Sequence, residues 1–258
     1  MQTIFRGKPF LGFISIITII VIWLILTETG FIQPLFLPSP ILLFESFVDL
    51  LKEGYGNISL FHHVALSLMR VLLAFLLACA IGIPLGLLMA MSRIADGIFD
   101  PLIELYRPVP PIALIPLFII WLGIGEMSKI GIIFISIFAV IVINTISGVK
   151  SIVETKIWAA QSLGADKIKL FRYIILPGAL PGIMTGMRVG IGFGWTTLVA
   201  AEMIAAASGI GWMALNARRF LRTDIILCGV IIMGVIGLLL DLLLRIVEQK
   251  FVPWKGKE

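Results

Sequence analysis

The sequence predicts an all-α integral membrane protein, and three observations carry that expectation. The chain is 60% hydrophobic and only 14% charged, where a soluble domain carries about 25% charged residues. Its mean hydropathy is +1.11. Its apolar runs are also long, on the scale of the about 20 residues a helix needs to cross a bilayer core. They cover roughly 10–26, 64–91, 98–122, 130–149, 178–207 and 225–247, which predicts six transmembrane helices in one membrane domain, 1–258.

In the first run, Arg6 and Lys8 precede apolar residues, as in a secretory leader, but no small-residue cleavage pattern precedes Thr27, so a retained helix is expected. Before the second, His62 and His63 are adjacent and point in different directions on a helix, which suits interfacial histidines better than a metal site. Arg70, as a charge within a span, qualifies as a substrate contact, with snorkelling towards the outer surface as the alternative. The third run contains Pro108, Pro110, Pro111 and Pro116. Each proline removes a backbone donor and clashes with the preceding turn, so this helix must break, as a pathway wall or a packed kink. Arg107 follows Glu104 by three residues and can either pair with it or face the pathway.

The fourth run is followed by a polar segment, about 150–176, that stands out from its apolar surroundings. Asp166 is a predicted N-cap, and Ile168, Phe171 and Ile175 recur at helical spacing. Two short helices hinged at Gly164 are expected, the second stopped by Pro177, which also suits the first turn of the next span. In that fifth span Gly178, Gly182, Gly186, Gly190 and Gly194 form a stripe at intervals of four. Such a stripe lets another helix approach closely. It reads as a packing face, with a sliding seam as the alternative. Arg188 lies about 16 Å beyond Pro177 along the helix, near midplane. With Trp195 and Glu202 it recurs every seven residues on one face. These three and Arg107 are the candidate substrate-pathway residues; bonding of Arg188 and Glu202 to neighbouring helices is the competing reading. The sixth run adds Cys228, which with Cys79 gives two isolated apolar thiols and no disulfide or metal-ligand spacing.

Lysine and arginine set the orientation. With the N-terminus inside, the inner segments carry twelve, among them Arg6, Lys8, Lys167, Lys169, Lys255 and Lys257, and the outer segments five. The positive-inside rule then places both termini and the 150–176 loop in the cytoplasm. The net charge of +5 needs no nucleic-acid partner; its asymmetry across the bilayer and anionic lipid headgroups account for it. There is no phosphate-cradling GxxxxGK[ST] sequence, no catalytic cluster and no metal-binding set. If the protein does energy-driven work, another subunit binds the fuel.

The segment also carries Ala159, Ala160, Gly164, Ile174, Leu176 and Pro177 in the order AA-x3-G-x9-I-x-L-P. This resembles the cytoplasmic loop motif of ATP-binding-cassette importer permeases, with Trp158 where that family's motif opens with a glutamate. The stretches "DPLIELYRPVPPIALIPLFIIWLGIG" (100–125) and "TLVAAEMIAAASGIGW" (197–212) resemble the nitrate/sulfonate/taurine branch, the first of them most like taurine permeases. The resemblance runs from about residue 37 to "PWKG" at 253. It implies a type I importer permease fold in a bacterial or archaeal cell (inner) membrane. It implies a homodimer with two separate ABC ATPase subunits, which bind ATP and Mg, and an extracytoplasmic substrate-binding protein. Ala159, Ala160, Gly164, Ala165, Asp166, Ile174, Leu176 and Pro177 would couple the permease to the ATPase. The implied substrate is a small alkanesulfonate such as taurine, moved by alternating access. Nitrate, bicarbonate or an aromatic sulfonate is the alternative within the family. An ion-coupled secondary transporter is the alternative outside it, although clear repeats and coupling acids are missing from the sequence.

Overall fold

The computed structural model describes residues 8–254, and among them every regular element is a helix. Arg6, Lys255, Lys257 and both chain ends, which entered the charge count, lie outside the described residues. The first helix, α1, is Lys8–Glu28. Ser39, Ser59 and Ser92 then open α2 (Pro40–Lys52), α3 (Leu60–Met91) and α4 (Arg93–Tyr106). Each serine hydroxyl accepts a hydrogen bond from a backbone N–H three residues on, satisfying one of the donors that a helix start leaves free.

The proline cluster breaks the third apolar run as expected. α4 stops at Tyr106, a short 3-10 turn covers Pro111–Leu114, and α5 (Ile115–Leu122) leaves at 92° to α4. After α6 (Glu126–Lys150) come α7 (Glu154–Ser162) and α8 (Lys167–Leu170). A π turn, Phe171–Ile175, joins α8 to α9 (Leu176–Ala205), followed by α10 (Ile210–Arg219) and α11 (Thr223–Phe251).

One expectation about Pro177 needs correction. It does not stop a short helix, because Lys167–Ile204 runs as one continuous helix. The π turn explains how: the N–H of Leu176 donates to the carbonyl of Phe171, five residues back. This wider turn relaxes the crowding that the Pro177 ring would impose on the residue four positions earlier.

Among the described residues four helices are long and apolar enough to cross a membrane: α3, α6, Lys167–Ile204 and α11. The bent pair of α4 and Pro111–Leu122 is a fifth if it is one span. Six were expected; the described apolar part of the first run, Ile14–Glu28, is shorter than the rest. α6 forms the centre, packed most extensively against α9 and α3, while α10 and α11 pack on α9 and α2 packs on α11. The main core joins Val71, Ala74 and Ala78 of α3, Ile133, Ile137 and Ile141 of α6, and Ile191 and Leu198 of α9.

Candidate functional site

The polar segment is built as a capped helix followed by a new start. Leu163 ends α7, and Gly164 follows at φ +78°, a left-handed conformation that glycine adopts without penalty. The N–H of Gly164 donates to the carbonyl of Gln161 at 2.9 Å, and that of Ala165 to the carbonyl of Ala160 at 3.0 Å. This pair of bonds is a Schellman motif, in which Ala160 and Ala165 occupy the positions that commonly hold small apolar contacts. Asp166 then caps α8 as expected, its carboxylate accepting from the N–H of Lys169 at 2.7 Å. Gly164 is therefore a cap as well as a joint. A Cβ there would meet nothing within 4 Å, so its constraint inside this chain is conformational rather than spatial.

Ala159, Gly164 and Asp166 are exposed, whereas Ile174, Leu176 and Pro177 are half-buried where the segment enters α9. The segment also presents Trp158, Leu163, Ile168 and Tyr173 outward, Leu163 being 89% exposed. A cavity of about 210 Å³ beside it is lined by Lys156, Tyr173, Pro177 and Trp254.

The glycine stripe of α9 packs on α6. A Cβ on Gly182 would lie 2.5 Å from Cα of Gly148, and one on Gly186 would lie 2.7 Å from Cβ of Asn144. Gly190 and Gly194 face Ile137, while Gly178 faces Ile152 just past α6. The two backbones thus meet with no side chain between Gly182 and Gly148, the close approach that small residues permit in lipid.

Arg188, Trp195 and Glu202 do share a face, but each is bonded to a neighbouring element of this chain. The guanidinium of Arg188 donates to Asp241 at 3.0 Å and to Glu248 at 3.0 Å, both on α11. Trp195 Nε1 donates to the carbonyl of Met233 at 3.1 Å, also on α11. Glu202 is 1% exposed and accepts from Ser67, Arg70 and the N–H of Gly211 at 2.6–2.9 Å. All three therefore have partners within the chain, as the competing reading for Arg188 and Glu202 has it, while Arg188 stays 27% exposed and borders a cavity of about 520 Å³ with Arg245 and Glu248.

Arg70 is the charged residue that sequence reasoning misplaced. It is wholly buried rather than snorkelling, because carboxylates from two other helices meet it. It donates to both oxygens of Glu126 at 2.6 and 2.7 Å, to Glu202 at 2.6 Å and to the carbonyl of Ser208 at 2.9 Å. Lys129 adds a 2.7 Å bond to Glu126, so two cations and two carboxylates balance. His63 is likewise buried within the chain. Its Nδ1 accepts from the N–H of Gly209 at 3.0 Å and its Nε2 donates to the carbonyl of Tyr55 at 3.1 Å, while its ring stacks on Trp212. Outside the membrane spans, burial raises the Tyr55 phenol above its usual pKa, with Arg222 partly opposing the rise.

The α4–α5 break is different. Tyr106 and Arg107 sit at its start and, with Val109, Ser136, Asn144 and Phe193, line a cavity of about 320 Å³ between the break, α6 and α9. Arg107 donates to Glu104 at 3.5 Å, at the limit of a hydrogen bond, and both side chains are more than half exposed. The Tyr106 hydroxyl is buried and has no hydrogen-bond partner. Among the described residues no cluster of His, Cys, Asp and Glu is arranged to hold a metal ion.

Comparison with known proteins fits this architecture. The taurine transport system permease protein TauC of Escherichia coli (strain K12) is 45% identical over 94% of this chain and 89% of its own. The nitrate import permease protein NrtB of Synechocystis sp. is 32% identical over 100% of this chain and 94% of its own. Among solved structures, a chain of the MetNI methionine ABC transporter in an inward-facing conformation superposes with a TM-score of 0.58 at 19% identity, covering 73% of this chain and 95% of that one. The fold is that of a type I ABC importer permease, and such relatives are permease subunits whose ATPase is a separate subunit. Residues 82–253 match the family described as binding-protein-dependent transport system inner membrane component, and this chain, a membrane permease rather than an enzyme, belongs to that family.

Proposed function

We propose that this permease imports taurine or a closely similar small alkanesulfonate by alternating access, as a homodimer. Two ATPase subunits, which bind ATP and Mg, dock on residues 150–176, and an extracytoplasmic binding protein delivers substrate from the other side. In this reading α1 is a sixth span and both termini are cytoplasmic. The observation that carries the substrate is the 45% identity to a taurine permease along 94% of the chain, against 32% to a nitrate permease. The docking site rests on the capped segment around Gly164, which offers exposed apolar and charged side chains and joins α9 without a break. Movement of that segment would be transmitted along α9 to α6 through the glycine seam.

Vesicles holding this chain, its ATPase partner and the cognate binding protein are expected to accumulate labelled taurine, with excess nitrate leaving the rate unchanged. Accumulation of nitrate and not taurine would overturn the substrate assignment and favour the nitrate reading.

A further inference from the structure

The cavity at the α4–α5 break combines features that occur together nowhere else among the described residues. It is lined by Arg107, a guanidinium whose carboxylate partner Glu104, outside that lining, is weakly held, and by Tyr106, whose hydroxyl has no hydrogen-bond partner. Arg107 and Glu104 lie one turn apart on the same helix face, 61% and 58% exposed, at 3.5 Å. An exposed pair of this kind contributes little stability, so opening it is easy. Arg70 offers the contrast: its carboxylates are held at 2.6 Å and it is itself wholly buried, leaving a ligand no entry. Asn144 lies on the opposite wall with its amide N–H₂ donating back to the carbonyl of Val140 at 2.8 Å, which leaves a second N–H on that nitrogen. The space, about 320 Å³, lies at the lower end of small-molecule pockets.

We infer that Arg107 and Glu104 form a zwitterion-selective subsite in the permease itself, where Arg107 takes the sulfonate and Glu104 takes the ammonium of an aminoalkanesulfonate. This rests on the reading of the substrate as taurine-like. An ammonium and a sulfonate held apart by a two-carbon chain can replace the two halves of a weak guanidinium–carboxylate pair, each finding the opposite charge. Tyr106, which also lines the cavity, supplies a further donor to the anion. In this structure that hydroxyl is buried and has no hydrogen-bond partner, a state that costs free energy unless another conformation satisfies it. Phe193 and Val109 add apolar surface to the cavity that Arg107 lines. A plain alkanesulfonate would use Arg107 and leave Glu104 idle.

The test uses the purified permease–ATPase complex without binding protein, so that the delivering protein's own selectivity does not enter. Equilibrium binding of taurine and of ethanesulfonate is measured to the unchanged complex and to Glu104→Gln, Arg107→Gln and Tyr106→Phe, together with each melting temperature. Glu104→Gln is expected to weaken taurine about tenfold and leave ethanesulfonate within about twofold, the loss of one charge-assisted contact. Arg107→Gln is expected to weaken both by about tenfold or more. Tyr106→Phe is expected to weaken both by about threefold at unchanged melting temperature, because the hydroxyl it removes has no hydrogen-bond partner within the chain. Equal loss of taurine and ethanesulfonate in Glu104→Gln, or unchanged binding in all three variants, would overturn the subsite while leaving taurine import intact. Absence of taurine binding by the unchanged complex would also overturn it. Vesicle uptake of taurine then decides separately whether the substrate assignment survives.

Discussion

Arg70 and Arg107 are both arginines within apolar segments, yet they belong to two regions built on opposite terms. Around Arg70, the body of α3, α6 and α9 leaves almost nothing unsatisfied: four of the five guanidinium N–H donors are used and glycines bring backbones together. Around Arg107 a helix is broken, the ion pair is loose and a tyrosine hydroxyl has no partner. The 150–176 segment shares that second character, with exposed charges and an 89% exposed leucine. A permease needs both, a body that holds its shape and edges that meet other molecules. The number of partners each charge has within the chain separates them.

The comparison breaks most sharply at Arg70. Replacing it by methionine in Arg70→Met leaves Glu126 and Glu202 facing each other without their shared cation. Removing one partner of a buried ion pair costs about 3–5 kcal/mol. The expected result is loss of folded protein in detergent, measured by thermal unfolding; a stable, transport-deficient Arg70→Met would move Arg70 to the functional side.

The next effect belongs to the seam. Gly182→Val places a branched side chain where Cα of Gly148 lies 2.5 Å from an ideal Cβ, so α6 and α9 must separate. Overpacking of this kind costs about 1–3 kcal/mol, and both melting temperature and uptake should fall. An unchanged melting temperature would contradict the packing role of the stripe. Arg188→Met should produce a smaller fall, because Arg188 is 27% exposed and Asp241 keeps Arg245 at 3.2 Å. Loss of uptake with no change in melting temperature would place Arg188 in the pathway.

These effects also mark what could be seen in the sequence. The stripe was legible because its spacing of four is a local property, and so were the Asp166 cap and the proline break. Partners distant in the chain were not. Arg70 meets residues 56 and 132 positions away, which no local period encodes, so a solvated arginine was expected where a buried one stands. The shared face of Arg188, Trp195 and Glu202 was read correctly, but whether it turned to a cavity or to α11, α3 and the start of α10 depended on packing. Pro177 looked like a stop because a π turn leaves no signature of its own in residue type. The number of spans was read from hydrophobic length alone, which separates neither a short first helix nor a bent pair from a straight crossing.

The edges make the complementary prediction: transport changes while the fold stays. Gly164 tests it most directly, since nothing in this chain crowds it and only its φ of +78° constrains it. Valine there adds about 1 kcal/mol or more of backbone strain and removes the cap between α7 and α8, whereas asparagine tolerates the left-handed region. The deciding measurement compares the unchanged protein, Gly164→Val and Gly164→Asn in vesicles with the ATPase and binding protein present, recording ATP hydrolysis, ATPase binding and taurine uptake side by side. ATP-dependent uptake that is lost in Gly164→Val with the permease still folded, and retained in Gly164→Asn, is the predicted result. Uptake that continues undiminished in Gly164→Val, or that proceeds on an ion gradient without ATP, would contradict coupling through this segment.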